Sequence, residues 1–406
     1  MKHRNASRGG ARNEMFDLIE SAGKEYGDDF CGMIDHVTPR IGCVGGSETM
    51  SKDTVLRPSA GAKRVLTGIK PTAVPHIGNY LGAIRPAIEL TQASESYLFI
   101  ADLHALTVTP DPRDLAEQIH SVAASWLAFG LDPERVVFYR QSAIPEVTQL
   151  AWMLSCVVPL GLLNRAHSFK DAKGKGAEED DVSHGLFSYP VLMAADILCF
   201  DADIVPVGKD QKQHLEIAQE AARKFNHIYG ETLKIPEARI DERVMTIPGT
   251  DGRKMSKSYK NTIQLFVSDD ELWKTVKSLK TNSTSYGQPL DPKGDTIFTL
   301  VELLAPAEAS AALQRAYSTG RKNPASPDES FASATENYFG FGDAKRILYE
   351  LLVDEFRAAR AEYVRLMNDR PYLDDLLEKG ATHARAAAAN VLDRVFAAVG
   401  LSKNVR

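Results

Sequence analysis

At 406 residues the chain is long for one compact domain, and a rule of about 150 residues per domain gives two or three units. Charged residues make up 25% and hydrophobic ones 44%, an ordinary soluble composition, and no apolar run approaches the roughly 20 residues that span a bilayer, which argues against a membrane protein. The formal charge of −6 by itself gives no ground for a nucleic-acid partner.

Residues 1–62 read as an extension with little order of its own. They mix Gly, Ser, Arg and Asp, with one short amphipathic stretch near Met15 to Ile19. Basic residues at Lys2, Arg4, Arg8 and Arg12 give way to Glu14, Asp17 and Glu20 with no apolar segment between. That pattern is unlike a secretory signal; a transit peptide is the lesser alternative. Met50 is an alternative start, since the first firm strand follows it closely.

From Arg64 the texture becomes alternating strands and amphipathic helices. Val65–Leu66 opens a short strand ending in Gly68, and Lys70-Pro71-Thr72 is a turn before a helix from about Gly78 to Leu90. Tyr97 to Ala101 is a buried-strand run. Asp114 to Phe129 is helical, with Leu115, Ile119, Val122, Ala123 and Trp126 on one face. Val136 to Tyr139 is again strand-like. Strand and helix alternating without hairpin turns predict an α/β fold with a parallel sheet. Ligands of such sheets sit beyond the carboxyl ends of strands. Past about residue 260 the strand signal fades. A helix is predicted from Asp343 to Met367, striped by Leu348, Leu352, Phe356, Ala359, Tyr363 and Leu366. Pro371 breaks it, and a second helix runs from about Asp374 to Val399. The four cysteines, Cys31, Cys43, Cys156 and Cys199, are widely spaced with no CxxC pair, which fits a reducing cytoplasm and not a disulfide or zinc framework.

Two segments carry chemistry. In Pro75-His76-Ile77-Gly78-Asn79, His76 and Asn79 are three apart at the opening of a helix, beside backbone N–H groups suited to an anion. Gly78 removes a side chain where a flat ring could approach. Far downstream, Lys254-Met255-Ser256-Lys257-Ser258 puts two lysines three apart in a small hydroxyl-rich loop, a pattern that can follow a polyphosphate. Neither GxxxxGK[ST] nor GxGxxG occurs, so a P-loop NTPase and a dinucleotide dehydrogenase do not fit.

HIGN followed by KMSKS resembles the signature pair of class I aminoacyl-tRNA synthetases. The blocks HIGNYLGAIRP (76–86), ADLHALT (101–107), YPVLMAADIL (189–198) and VPVGKDQKQH (205–214) narrow the resemblance to bacterial-type tryptophanyl-tRNA synthetases, from about Val65 to the C-terminus. It implies a Rossmann-like nucleotide-binding domain at 63–258 and a helical anticodon-binding domain at 259–406, the last helix possibly packing back on the first domain. It further implies a homodimer, and tryptophan, ATP with Mg²⁺, and tRNA(Trp) as the molecules handled. His76, Asn79, Lys254 and Lys257 become the catalytic set. ATP contacts fall on Lys70, Pro71, Thr72, Gly78, Asn79, Gly208, Lys209, Asp210, Val244, Lys254, Met255, Ser256, Lys257 and Ser258. Tyr189, Met193, Asp196 and Gln211 become the tryptophan site, with Asp196 accepting the indole N–H and Tyr189 with Gln211 holding the ammonium group.

Taken alone, Asp196 is equally a buried, paired carboxylate. Tyrosine-charging relatives tend to carry Gln three residues before it, where this chain has Met193, suited to an indole face. His104 and His214 are read as structural, and no histidine has a partner at metal-ligand spacing, so no bound zinc is expected. Bacterial members usually carry Gln at Lys70 and an acid at Lys209. The segment Lys170 to Asp181 reads as a mobile loop, with Lys170 or Lys173 reaching ATP. A tyrosine-specific enzyme, a non-ligating synthetase-like binding module and a cofactor adenylyltransferase remain as alternatives, the last with no use for the helical domain. The charge of −6 hides a strip from Arg253 to Lys280 with seven basic against three acidic residues, enough for local phosphate attraction.

Overall fold

The computed structural model describes residues 63–71, 74–91, 94–108, 111–166, 182–207, 212–240, 247–322 and 337–401. They fall into two compact units. One holds residues 76–81 and 247–358; the other holds 63–75, 82–240 and 359–401.

The second unit is built on a five-stranded parallel sheet in the order β3-β2-β1-β4-β5. The strands are β1 (Arg64–Ile69), β2 (Glu95–Ile100), β3 (Val136–Arg140), β4 (Ile204–Val207) and β5 (Glu237–Ile240). β1 and β2 pair in register from Arg64↔Glu95 to Ile69↔Ile100. β2 carries the run Ser96 to Ile100, all buried, as expected of a strand covered on both faces. Gly68 is needed at the end of β1, because a Cβ there would collide with the Phe99 ring of β2. The chain leaves β1 for β2 and β3 on one side, then returns to β4 on the other. The carboxyl ends of β1 and β4 therefore flank the switch point, where such sheets bind ligands.

The sheet is covered by α1 (Pro112–Ala128), α2 (Pro145–Ser155), α3 (His184–Leu198) and α4 (Lys212–Tyr229). Their apolar faces join the sheet in one core that includes Leu66, Phe99, Tyr139, Leu150, Ile197, Phe200 and Phe225. The other unit contains α5 (Asp269–Lys277), α6 (Thr296–Leu304), α7 (Ala307–Thr319) and most of α8 (Phe341–Met367). Tyr317 is fully buried there, beside Phe298 and Phe339, and donates its hydroxyl to Asp295 at 2.9 Å. Among the described residues, no named strand follows β5.

The last helix, α9 (Arg370–Ala398), belongs with the sheet. Pro371 does not end α8; Asp369 caps the new helix by accepting the Tyr372 N–H, and Pro371 occupies its first turn, where a missing N–H costs nothing. Ala381, Ala384 and Ala388 form a small-residue face in the common core. Arg385 pairs with Glu146 of α2 at 3.1 Å, and Arg394 with Asp201 at 2.7 Å. Gly380 rests directly against the backbone of Phe138 in the outer strand β3, leaving no room for a Cβ. Gly380→Val is expected to destabilise the fold by about 1–3 kcal/mol through overpacking, read as a lowered urea midpoint with unchanged slope.

Candidate active site

His76 caps the helical turn Ile77–Asn79, which runs on through a π turn (Tyr80–Ile84) into Arg85–Thr91. The cap is reciprocal: the Asn79 N–H donates to His76 Nδ1 at 3.3 Å, and the His76 N–H donates to Asn79 Oδ1 at 3.1 Å. Because Nδ1 accepts, the neutral ring carries its proton on Nε2, leaving that N–H as the outward donor. Burial, and then the nearby Lys257 amine, lower the pKa of His76 to about 4. At neutral pH it is a hydrogen-bond donor without charge.

The turn is tied to the chain beyond KMSKS. The Ile77 N–H donates to Ile263 O at 3.0 Å, and His76 bridges to Gln264 in antiparallel fashion. The N–H groups of Ile77, Asn79 and Tyr80 all have acceptors within the protein. This corrects the expectation that backbone N–H groups there wait for an anion. The donors directed to a phosphate are side chains instead. Gly78 has a steric reason of its own: a Cβ would come within 3.0 Å of the His76 ring and 3.2 Å of Met255 Sδ.

The KMSKS loop is a short antiparallel turn, with Pro248 bridged to Lys254 and the Met255 N–H donating to Ile247 O at 2.8 Å. Met255 is buried while Lys254 and Lys257 are exposed. Partial burial of its amine lowers the pKa of Lys257, although the side chain as a whole reaches solvent. Ser256 and Ser258 share a hydroxyl–hydroxyl contact of 2.7 Å. Asn261, which the motif pattern does not single out, organises all of this. Its side chain accepts the Ser256 N–H at 2.7 Å and donates to Asp251 Oδ1 at 2.7 Å and Lys254 O at 3.1 Å. The Asn261 hydrogen bond, with Arg253, brings the Asp251 carboxyl down to about 2.

In the sheet-bearing unit, Tyr189, Met193 and Asp196 lie on α3. Asp196 is 2% exposed. His104 Nε2 lies 2.8 Å from its Oδ2, and Gln141 Nε2 lies 2.8 Å from both oxygens. Burial pushes the carboxyl upward, and the His104 and Gln141 hydrogen bonds oppose that shift. The Gln141 amide is fixed at both ends, since its Oε1 accepts the N–H groups of Leu103 and His104 at 3.1 and 3.3 Å. A carboxylate has about four acceptor positions, so the printed donors leave capacity for one more. His104 follows β2 and Gln141 follows β3 directly. The rule that ligands sit beyond strand ends would have found Gln141, had β3 been extended by two residues.

Tyr189 is half-buried. Its hydroxyl meets His214 Nε2 at 2.7 Å, its ring lies edge-on to His104 at 5.8 Å, and Lys70 Nζ stands 5.3 Å from its centroid. His214 thus has a defined partner: it holds the Tyr189 hydroxyl. Burial lowers the pKa of Lys70. Pro71 is buried behind it. Thr72, Gly208, Lys209, Asp210, Gln211, Val244, Lys170 and Lys173 lie outside the described residues.

A buried neutral histidine docked beside a lysine-bearing loop, and a parallel sheet with a polar pocket at its strand ends, define a nucleotide-activating enzyme of synthetase type. The chain matches the family described as tRNA synthetases class I (W and Y) over residues 59–339. It is 47% identical to the tryptophan–tRNA ligase of Bordetella parapertussis over 83% of this chain and 73% of that one. It is 46% identical to that of Xanthomonas campestris pv. campestris, covering 83% and 76%. The crystal structure of tryptophanyl-tRNA synthetase from Campylobacter jejuni complexed with ADP and tryptophan superposes with a TM-score of 0.75 at 42% identity, covering 83% of this chain and all of that one. A tyrosyl-tRNA synthetase from Aeropyrum pernix, at 20% identity and a TM-score of 0.55, shares the fold. The chain belongs to the class I aminoacyl-tRNA synthetases, in the family that serves tryptophan and tyrosine.

The depressed pKa of His76 sets a pH dependence. Its unfolded value is 6.5 and its folded value about 4. The unfolded chain therefore binds more protons between these values, and stability falls as pH drops through that window. Unfolding of His76→Asn, which keeps a capping side chain, is expected to show a flatter pH profile than the parent between pH 6.5 and 4. Parallel profiles would overturn the buried, neutral assignment.

Proposed function

We propose that this chain is a tryptophan–tRNA ligase, which makes tryptophanyl-adenylate and pyrophosphate from L-tryptophan and ATP and then transfers tryptophan to the 3′ end of tRNA(Trp). The observation that carries the reading is the docking of the HIGN turn onto the chain that holds KMSKS, which gathers His76, Asn79, Lys254 and Lys257 in one compact unit. The relatives at 43–47% identity carry that ligase name.

In the first step a carboxylate oxygen of tryptophan attacks the α-phosphorus in line. A new P–O bond forms, and the bond to the β-phosphate bridging oxygen breaks. Catalysis here is positioning and charge stabilisation, with no proton to move. Negative charge grows on the departing pyrophosphate. Lys254 and Lys257 meet it as flexible cations, and His76 as a neutral Nε2–H donor. In the second step the terminal ribose hydroxyl of the tRNA attacks the adenylate carbonyl, and AMP leaves.

Asp196, oriented by His104 and Gln141, accepts the indole N–H in its remaining acceptor position. Met193 offers an apolar, polarizable contact to the ring face. Tyr189, its hydroxyl directed by His214, takes the ammonium group together with Gln211. Lys70, Pro71, Thr72, Gly78, Gly208, Lys209, Asp210, Val244, Met255, Ser256 and Ser258 complete the ATP contacts. The Lys70 amine near Tyr189 adds positive charge where the tryptophan carboxylate and the α-phosphate react.

Among the described residues, no three His, Cys, Asp or Glu side chains converge on a metal position. That donor set fits a Mg²⁺ ion carried in on the triphosphate and not a resident one. Such an ion would bridge the phosphates and neutralise the leaving charge. The same reading includes a homodimer and a cytoplasmic location; Cys156 and Cys199 are free thiols, which fits a reducing compartment. Anticodon reading is assigned to the helical region beyond residue 258.

Lys257→Ala is expected to lower the single-turnover adenylation rate about a hundredfold or more while tryptophan affinity holds. Lost affinity with an intact rate would refute its role. Amino-acid-dependent ATP–pyrophosphate exchange with Trp, Tyr and neither decides the whole reading. Exchange with tryptophan alone is expected. Exchange with tyrosine alone would move the specificity, and no exchange with either would point to a non-ligating protein.

A further inference from the structure

The unit that holds the KMSKS loop has a second cavity, away from the residues assigned to adenylation. It has a volume of about 350 Å³ and lies between α5, the loop at Tyr286 and the first turns of α8. Its lining includes Trp273, Lys277, Tyr286, Asp343, Lys345 and Arg346. Three of these are cations. The one carboxylate is already committed: Asp343 pairs with Lys322 at 3.3 Å and accepts the Gly340 N–H at 3.0 Å. The cavity is therefore positively biased in a protein whose net charge is −6.

Its aromatic walls are fixed in place. Tyr286 is 53% exposed, yet its hydroxyl donates to Tyr338 O at 2.8 Å and its ring meets Tyr338 edge-on at 6.0 Å. Trp273 stacks on Tyr349 at 5.1 Å, with Lys277 Nζ 5.4 Å from the indole. Lys345 is anchored by donating to the Lys277 carbonyl at 2.8 Å. Arg346 is exposed and has no hydrogen-bond or ion-pair partner among the described residues. An exposed but immobilised ring beside three cations is the arrangement that receives a nucleotide: the ring stacks on a base of any identity, and the cations take its phosphates. An acidic peptide would be met by the cations alone and gives no use for the held rings.

We propose that this cavity is a tRNA-binding site that takes one unpaired nucleotide, its base against Tyr286 and its flanking phosphates against Lys277, Lys345 and Arg346. The proposal rests on the ligase reading and adds a specific RNA contact to it. The two can be separated, because pyrophosphate exchange needs no tRNA whereas aminoacylation does.

The test uses the full chain with Lys277→Glu/Arg346→Glu, the charge-preserving Lys277→Arg/Arg346→Lys, and the pair Tyr286→Leu and Tyr286→Phe. Tryptophan-dependent exchange and the KM for tRNA(Trp) are measured across a salt series. The charge reversal is expected to raise the tRNA KM about tenfold or more and to flatten its salt dependence by about one unit of log–log slope per lost phosphate contact. Tyr286→Leu is expected to raise it about five- to a hundredfold, with Tyr286→Phe near the parent. Exchange stays within about twofold in all four, which shows that they fold. An unchanged tRNA KM and salt slope in the charge-reversed protein would overturn the site. Absence of exchange in the unmodified protein would instead overturn the ligase reading, and the site with it.

Discussion

One backbone hydrogen bond, from the Ile77 N–H to Ile263 O, joins two motifs almost two hundred positions apart in the chain. Without it His76 would cap an isolated turn of three residues, too short to hold its own conformation. With it, His76 becomes buried, its Nδ1 is committed to the cap, and its Nε2–H acquires one direction. The neighbouring lysine then works in the same sense, since a charged imidazole beside Lys257 would repel it. The neutral state of the histidine and the cationic state of the loop are two sides of one arrangement.

The amino-acid side follows a similar logic with different parts. A carboxylate as buried as Asp196 needs donors to remain useful. His104 and Gln141 supply them from the ends of adjacent strands, and Gln141 is itself oriented by two backbone N–H groups. The acceptor is thus preorganised on the rigid end of a sheet. Specificity built on a buried hydrogen bond is strong because the wrong substrate leaves a polar group unpaired.

Much of this was legible in the sequence because it is local. The alternation of strands and helices from Arg64 onward, the stripe on α8 and the spacing of His76 from Asn79 all depend on neighbouring residues, and the structure has β1, β2, β3 and α1 close to their expected bounds. The four-residue β5 has no periodicity long enough to read, and Pro371 looked like a breaker because a proline suits a first turn as well as a stop. The hubs were hidden for another reason. Asn261, Gln141 and His214 act through partners distant in sequence or across a loop, and a single polar residue carries no pattern. His104 and His214 were taken as structural, a fair description of their burial but not of what they touch. The net charge misled because binding depends on where the cations lie, and those of the α5 region lie together.

The placement of α9 has a consequence for how the protein is made. β3 is an outer strand, and the helix that lies on its backbone at Phe138 is the last long element of the chain. During synthesis the sheet forms first, and β3 waits uncovered until the ribosome has released nearly the whole chain. An uncovered outer strand is a template for pairing with another molecule. Nascent chains crowded on one message, or products cut short before residue 370, would expose that template, so this protein's exposure to aggregation is concentrated in the last seconds of its synthesis.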